Sequence, residues 1–393
     1  MMIRRASALA CSVLLLLLLP ASGLDARRPT LPDRLDDATF WRLFTELSES
    51  GGTFRSENLV SNERAFPAVL PEVARRASRG AAYIGVGPEQ NFSYLAALKP
   101  RIAFIVDIRR QNAILHLLYK AIFELSVTRA EFLSRLFSRP RPRHLGPRST
   151  PRELMEAFAV GTPSADMHAA HLDEIRALLT TRHRWPVSDA DLTGLSYVYT
   201  AFFEAGPDIR YSTRSFRRGR PFPNFAELMT SVDSRGAFGS FLASEASYQA
   251  VRDLQQRNLV VPVVGDFAGP RALSAVGAYL RDNGLKVAAF YTSNVEMYLF
   301  RNDDWTSFSR SLGALPIDGR SVIVRSVFRG FGMGAPGTGF GTPPPAPSGP
   351  GAGLGTSGVG LGEQLRLDPI GSLLAAAGRG EIASYADLVA RVK

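Results

Sequence analysis

The segment Ala81–Arg109 constrains this chain more than any other. Ala81-Ala82-Tyr83-Ile84-Gly85-Val86 is a short apolar run, and it ends in a glycine-rich turn, Gly85-Val86-Gly87-Pro88-Glu89-Gln90-Asn91. Asn91–Leu98 has the texture of a helix, and Ile102–Asp107 (IAFIVD) is a second apolar run. Runs this short and this continuously apolar read as strands buried on both faces, and the helix between them places them in a parallel sheet. Glycines at such a turn permit positive φ and let a ligand approach the backbone, while the helix start offers free N–H donors. Asp107 ends the second run, 20 residues after Gly87, where an acid can accept hydrogen bonds from ribose hydroxyls. Strand, GxG turn, helix, strand and terminal acid in that order predict the first β-α-β unit of a nucleotide-cofactor-type domain. The alternative is a tight turn in a non-binding α/β protein, with Asp107 paired to Arg109 or Arg110 at the surface.

The remaining chain extends this pattern. Asp36–Ser50 and Phe66–Ala77 are predicted helices, and Asn112 to about Arg135 is helical in pattern. Ser138–Pro151 is basic and broken by prolines, hence a loop, and residues from about 152 to 255 are mostly helical, notably Asp189–Glu204 and Tyr248–Arg257. Sheet texture returns at Leu259–Asp266 (LVVPVVGD), Lys286–Thr292 and Ser321–Phe328 (SVIVRSVF), with helices over Pro270–Asn283 and up to Leu312. Five strands with intervening helices predict an α/β fold, a doubly wound, mostly parallel sheet in a domain over residues 33–329, with a helical insertion at about 126–257. The Gly/Pro/Ser-rich tract Gly330–Gly362 cannot bury a core and reads as a disordered linker. Glu363–Lys393 is expected to form one or two short helices that dock back.

The turn itself discriminates between cofactors. A dinucleotide fingerprint places a third glycine where this chain has Gln90 or Asn91, and close approach of the pyrophosphate depends on it. Three strings, YIGVGPEQNFSYLAALKPRIAFIVDIRRQN, VVPVVGDFAGP and FYTSNVEMYLF, resemble a family of uncharacterised bacterial proteins with the Rossmann fold of S-adenosyl-L-methionine (SAM)-dependent methyltransferases, over roughly Trp41–Phe328. The resemblance implies a methyltransferase-like domain that binds SAM or a related nucleoside. It implies that Gly85, Gly87 and Asn91 surround the methionine part, that Asp107 faces the ribose, and that Asp266 and Phe267 meet the adenine. Ser293 and Asn294 would line the active site; Glu89, Gln90 and Arg109, in the turn and beside the acid, complete the expected cofactor-binding set. The NPPY-type string of amino methyltransferases is lacking, because Asn294 is followed by Val295 and Glu296. Glu296 and Tyr291 are the nearest candidates for polar contacts to a substrate, with a structural role as the even alternative.

The N-terminus points to a different property. Arg4 and Arg5 precede the apolar stretch Ala6–Leu19, 14 residues long, and small residues follow. That is the pattern of a secretory signal over residues 1–26, cleaved after Gly23 or Ala26, with an uncleaved anchor as the alternative. An exported protein, periplasmic or membrane-associated, would carry this domain away from the compartment where SAM is made. That leaves a non-catalytic envelope binding protein that retains the fold as the second functional reading. The one cysteine, Cys11, lies inside the leader, so the mature chain has no disulfide, thiol nucleophile or thiolate metal site.

The net charge of +10 favours anionic partners. Two arginine runs (Arg139, Arg141, Arg143, Arg148, Arg152 and Arg210, Arg214, Arg217, Arg218, Arg220) could hold phosphates or lipid headgroups, although solvated loops are the commoner use of such runs. No interleaved aromatic RNA-binding motif accompanies them, so nucleic acid is not expected. His168 and His171 with Asp166 lack a third ligand motif, so no metal is expected. G-x-S-x-G, Walker A and H-E-x-x-H strings are absent, which removes the simplest hydrolase, ATPase and zincin readings.

Overall fold

Every residue of the runs Ala82–Gly85 (β1), Ile102–Asp107 (β2) and Val260–Val264 (β3) is buried in the computed structural model, which describes residues 31–54, 56–78, 80–213, 222–328 and 363–391. Burial of alternate side chains on both sides means that both faces of the sheet are covered. With Val287–Ser293 (β4), Val322–Phe328 (β5) and Glu363–Pro369 (β6), these strands form one six-stranded sheet in the order β3-β2-β1-β4-β5-β6. The first five strands are parallel, and β6 runs antiparallel to β5. This is the mostly parallel α/β sheet that the sequence pattern predicts, in the methyltransferase-like Rossmann form that the resemblance implies. The direction of winding reverses between β1 and β4, and at such a switch point a crevice opens at the carboxyl ends of the strands. The expected leader and the tract 330–362 lie outside the described residues, as do 214–221, which hold four arginines of the second run.

The helical pattern from Asn112 to Arg135 resolves into two helices, Arg110–Leu125 and Arg129–Phe137. The break is a capping motif: the Thr128 side chain accepts from the Glu131 amide, and Glu131 accepts in turn from the Val127 amide. The expected helix up to Leu312 is likewise two, Val295–Arg301 and Trp305–Gly313, with Asp303 at φ +61° between them. The insertion is helical and packs through Asp189–Ala205 and Glu245–Gln256 on Arg110–Leu125. Its basic loop is held by fully buried Arg129, which donates to the carbonyls of Leu242, Pro147 and Ser149 and pairs with Glu245.

The C-terminal segment departs from the expected helices. Its first seven residues are β6, and only then come the helices Ile370–Gly378 and Tyr385–Ala390. Two physical demands select the strand. Without it β5 would present an open edge of unpaired backbone groups; β6 pairs with β5 along its whole length, from Val322 opposite Pro369 to Phe328 opposite Glu363. Arg325 on β5 is also fully buried and needs anionic partners. It makes a two-pronged contact with Glu296 (2.6 and 3.1 Å) and a third bond to Asp368 on β6 (3.1 Å). Of the two candidates for polar contacts to a substrate, Glu296 is thus buried as a counter-charge to Arg325, while Tyr291 lines the cavity described below.

Removing one member of such a triad strands the others in a low-dielectric interior. Arg325→Met should lower the unfolding free energy by about 3–5 kcal/mol in denaturant titrations. A loss below about 1 kcal/mol would show that the triad does not anchor the sheet edge.

Candidate functional site

A cavity of about 460 Å³ opens at the carboxyl ends of β1, β2, β3 and β4, at the switch point of the sheet. The strand ends deliver these residues to it: Gly87 follows β1, Asp107 ends β2 and Arg109 follows it, Asp266 and Phe267 follow β3, and Ser293 ends β4 and Asn294 follows it. Seven of the residues expected around a cofactor thus share one wall system. Gly87 adopts φ +75°, and a Cβ there would meet only Asn58, at 3.9 Å, so its backbone faces open space.

Asp107 pairs with Arg109, as the alternative reading has it, but the pair is buried and not at the surface. Its side chain and that of Arg109 are 7% and 8% exposed, and both line the cavity. Oδ1 accepts from the Arg109 amide (2.9 Å) and from Nε (3.2 Å), and Oδ2 accepts from Nη2 (3.2 Å). A carboxylate has about four lone-pair sites, so three contacts leave one on Oδ2 for a ligand hydroxyl. Asp266 is fixed by its own loop: its amide donates to Glu49 (2.8 Å), and its Oδ1 accepts from the Ala268 amide (2.9 Å). Phe267 is buried and stacks edge-on against Phe290, so one part of its ring lines the cavity while the remainder sits in the core.

The other four expected residues, Gly85, Glu89, Gln90 and Asn91, do not line the cavity. They build the turn from behind. The Asn91 amide nitrogen donates to the carbonyls of Val86, Gly87 and Pro88, and its oxygen accepts from Tyr83. Gly85 makes room for it, because a Cβ there would lie 1.9 Å from Asn91 Oδ1. Glu89 is fully buried and receives the Ser61 amide on both carboxylate oxygens. Gln90 accepts from the Ser61 hydroxyl and donates to Glu63 and Tyr94. Where a dinucleotide fingerprint has its third glycine, Gln90 and Asn91 instead contribute side chains to this polar network.

Sequence reasoning missed the residue at the centre of the network. Glu63 is fully buried and accepts hydrogen bonds from Ser293, Tyr291 (2.7 Å) and Gln90 (3.1 Å). Burial pushes its carboxyl above the ordinary carboxylate range, against the pull of these bonds. It lies in the connection between Glu46 and Phe66, which has no helical or strand periodicity. The length of that connection was the available signal, since long unstructured loops in compact domains are usually functional. The same connection supplies Thr53, Phe54 and Asn58 to the cavity and pairs backbone to backbone with the insertion, Ser56 opposite Thr213. The insertion thereby brings Tyr211 and Phe222, in edge contact at 4.8 Å, to the cavity wall, which the Phe54–Tyr298 pair at 5.1 Å also lines.

The remaining candidate clusters have local uses. Arg139 is buried and donates to the carbonyls of Phe158 and Ala159, and Arg141 pairs with Glu131. His168 stacks between Tyr199 and Phe203, and His183 bridges Asp37 and Glu124 beside Lys120. His116 binds the Gly87 carbonyl through Nε2 at 2.8 Å, and burial lowers its pKa to about 4. Among the described residues no group of three or more His, Cys, Asp or Glu is placed to hold a metal ion.

Burial raises the Glu89 pKa to about 7 against the Ser61 amide, which lowers it. The folded state therefore binds a proton there that the unfolded chain releases near pH 4.5. Stability from this proton is full below about pH 4.5 and is lost as pH rises through about 7. Glu89→Gln should gain on wild type over that window, by an amount on the order of 3 kcal/mol at the upper end. Unfolding curves from pH 4 to 8 that keep a constant gap between the two proteins would contradict this. The comparison between proteins matters because buried His116, held neutral, contributes the opposite slope below about pH 6.5.

No curated protein matches the chain. Among solved structures, the chain is similar to the rRNA methyltransferase aviRa from Streptomyces viridochromogenes, with 14% identity, coverage of 81% of this chain and 90% of that one, and a TM-score of 0.29. At that level of likeness the fold assignment rests on the strand order itself. A family described as Domain of unknown function (DUF7790) matches residues 58–143 and 193–340, so the match spans the glycine turn, all the strand ends that line the cavity and the later half of the insertion. The chain belongs to this family, Domain of unknown function (DUF7790).

Proposed function

We propose that the switch-point cavity holds SAM or a related nucleoside, and that the protein is a methyltransferase-like enzyme. One observation carries this reading: Gly87, Asp107, Asp266 and Ser293, from four strand ends, converge on one cavity of about 460 Å³, a size within the roughly 300–1,000 Å³ of small-molecule sites. The donor set suits a nucleoside. The open backbone at Gly87 admits a chain beside the turn, the remaining lone pair on Asp107 Oδ2 accepts one ribose hydroxyl, and Asp266 with Phe267 offers an acid and an apolar face to a base. The bound cofactor supplies an electrophilic methyl group. The protein's part is to align it and to exclude water, work that rests on proximity more than on reactive side chains. The aromatic pairs Phe54–Tyr298 and Tyr211–Phe222 line the cavity and suit that exclusion.

The second reading, a non-catalytic binding protein that keeps the fold, draws on a different observation. Arg109 already satisfies three of the Asp107 lone pairs, so a ligand gains less from this acid than from one that is unpaired. Calorimetry with SAM and S-adenosylhomocysteine separates the readings. Wild type should bind both, and Asp107→Ala should weaken binding at least tenfold, as expected when a charge-assisted hydrogen bond worth about 1.5–3 kcal/mol is lost. Absence of heat at millimolar ligand would overturn the SAM reading and leave the binding-protein reading.

We also propose that the chain is exported. The basic, apolar, small-residue order of residues 1–26 supports this. A compartment-sensitive reporter fused after residue 30 should be active outside the cytoplasm. Activity confined to the cytoplasm would overturn the assignment.

A further inference from the structure

Ser293 differs from its neighbours around the cavity in three independent respects. It adopts φ +51° without being glycine, a conformation that costs on the order of 1–3 kcal/mol and persists where the surroundings enforce it. It follows an irregularity in the β4–β5 ladder, where Tyr291 pairs with Val324 and Ser293 with Arg325, so Thr292 is an extra residue. Bulges of this kind re-aim a side chain. The residue lines the cavity, and its hydroxyl donates to buried Glu63, whose carboxyl is held on its other side by the Tyr291 hydroxyl and the Gln90 amide. A hydroxyl on a sharp strand-to-helix turn, within reach of a base that a third group orients, is the arrangement of an activated hydroxyl.

We propose that Ser293 and Glu63 form a proton-accepting pair at the floor of the cavity, serving an acceptor that presents a neutral hydroxyl or amine there. The proposal rests on the SAM reading for the identity of the transferred group. The acceptor's O–H or N–H proton passes to Ser293 Oγ while the Ser293 proton passes to ionised Glu63. The lone pair so freed forms the bond to the methyl carbon, and the electrons of the broken carbon–sulfur bond stay on sulfur. One positive charge on sulfur and one negative charge on Glu63 disappear together. An anionic acceptor would be repelled by ionised Glu63, and an acceptor without a proton to lose would have no use for it. The titratable groups acting on Glu63 are Tyr291, Tyr83 and Tyr385, with Tyr94 joined to it through Gln90 and Glu89 through Ser61 and Gln90; Arg325, which also acts on Tyr385, is already paired with Glu296 and Asp368. In these surroundings burial is the leading influence on the Glu63 carboxyl and raises its pKa, so the pair switches on above the ordinary carboxylate range.

The test needs no knowledge of the acceptor. The full chain is treated with phenylmethylsulfonyl fluoride and the modified residue is mapped by peptide mass spectrometry. In this reaction a Ser293 Oγ–sulfur bond forms, the sulfur–fluorine bond breaks, fluoride leaves and the proton goes to Glu63. The expected result is labelling at Ser293, with a rate that rises with pH through a midpoint above that of an exposed carboxylate. Glu63→Gln should slow it by at least about 100-fold, the lower range for general-base assistance. Tyr291→Phe removes a donor to the ionised carboxylate and should move the midpoint to higher pH, a shift that a purely structural role would not produce. It also supplies the decision if Glu63→Gln does not fold, as judged by circular dichroism. No labelling of Ser293, or labelling with an unchanged midpoint in Tyr291→Phe, overturns the proposal. Adding SAM keeps the two readings apart: labelling at Ser293 with no calorimetric SAM binding sinks the cofactor and leaves the pair, while SAM binding without labelling sinks the pair alone.

Discussion

The side chain of Asn91 holds together the turn on which the cavity depends. Its two N–H donors are shared among the carbonyls of Val86, Gly87 and Pro88, and its oxygen takes the Tyr83 hydroxyl. The Gly87 carbonyl also meets His116 Nε2 and the Pro88 carbonyl also accepts from the Asn91 backbone amide, so the turn is held from more than one side. The Asn91 side chain joins all three carbonyls, and with these partners it shapes the loop, fixes the glycine backbone toward the cavity and fastens the helix Gln90–Leu98 to β1. Gly85 is small so that Asn91 can enter; Gly87 is glycine because its φ requires it.

From that turn a continuous polar layer runs beneath the cavity. Glu89 and Gln90 hold Ser61, Gln90 reaches Glu63, and Glu63 collects Tyr291 and Ser293. Two fully buried carboxyls in one network are costly unless every lone pair is used or a proton is kept. The raised pKa values of Glu63 and Glu89 show that burial prevails over the hydrogen bonds at both. The Arg325 triad is the contrasting case: there a cation compensates the buried acids, and it fixes β6 to the sheet without taking part in the cavity.

The sheet was largely legible because strands buried on both faces leave a strong composition trace. All five parallel strands lie where continuous apolar runs place them, and the acid at the end of β2 is at the position its spacing predicts. The helical breaks at Ser126–Thr128 and near Asp303 were hidden because apolar spacing continues across them, although Thr128-x-x-Glu131 carries a capping signature. The strand β6 was hidden for a different reason. Its Leu365 and Leu367 alternate over too few residues to outweigh the helical texture that follows, and its pairing partner is separated from it by the Gly/Pro-rich tract.

The sequence by itself determined the parallel α/β architecture and the set of strand ends that meet at the cavity, because both follow from local pattern and from spacing along the chain. Only the tertiary structure decided which of the turn residues face a ligand. In the string Gly85–Asn91 the glycine that opens on the cavity and the side chains that turn away from it are separated by backbone direction, which no residue type announces. Tertiary packing alone also brought Glu63 to Ser293, 230 positions apart in the chain, and buried the local Asp107–Arg109 pair that the sequence would place at the surface. Such contacts depend on how the connection after Glu46 folds back over the sheet. A buried carboxyl is placed there by the protein's interior, not by its neighbours in sequence.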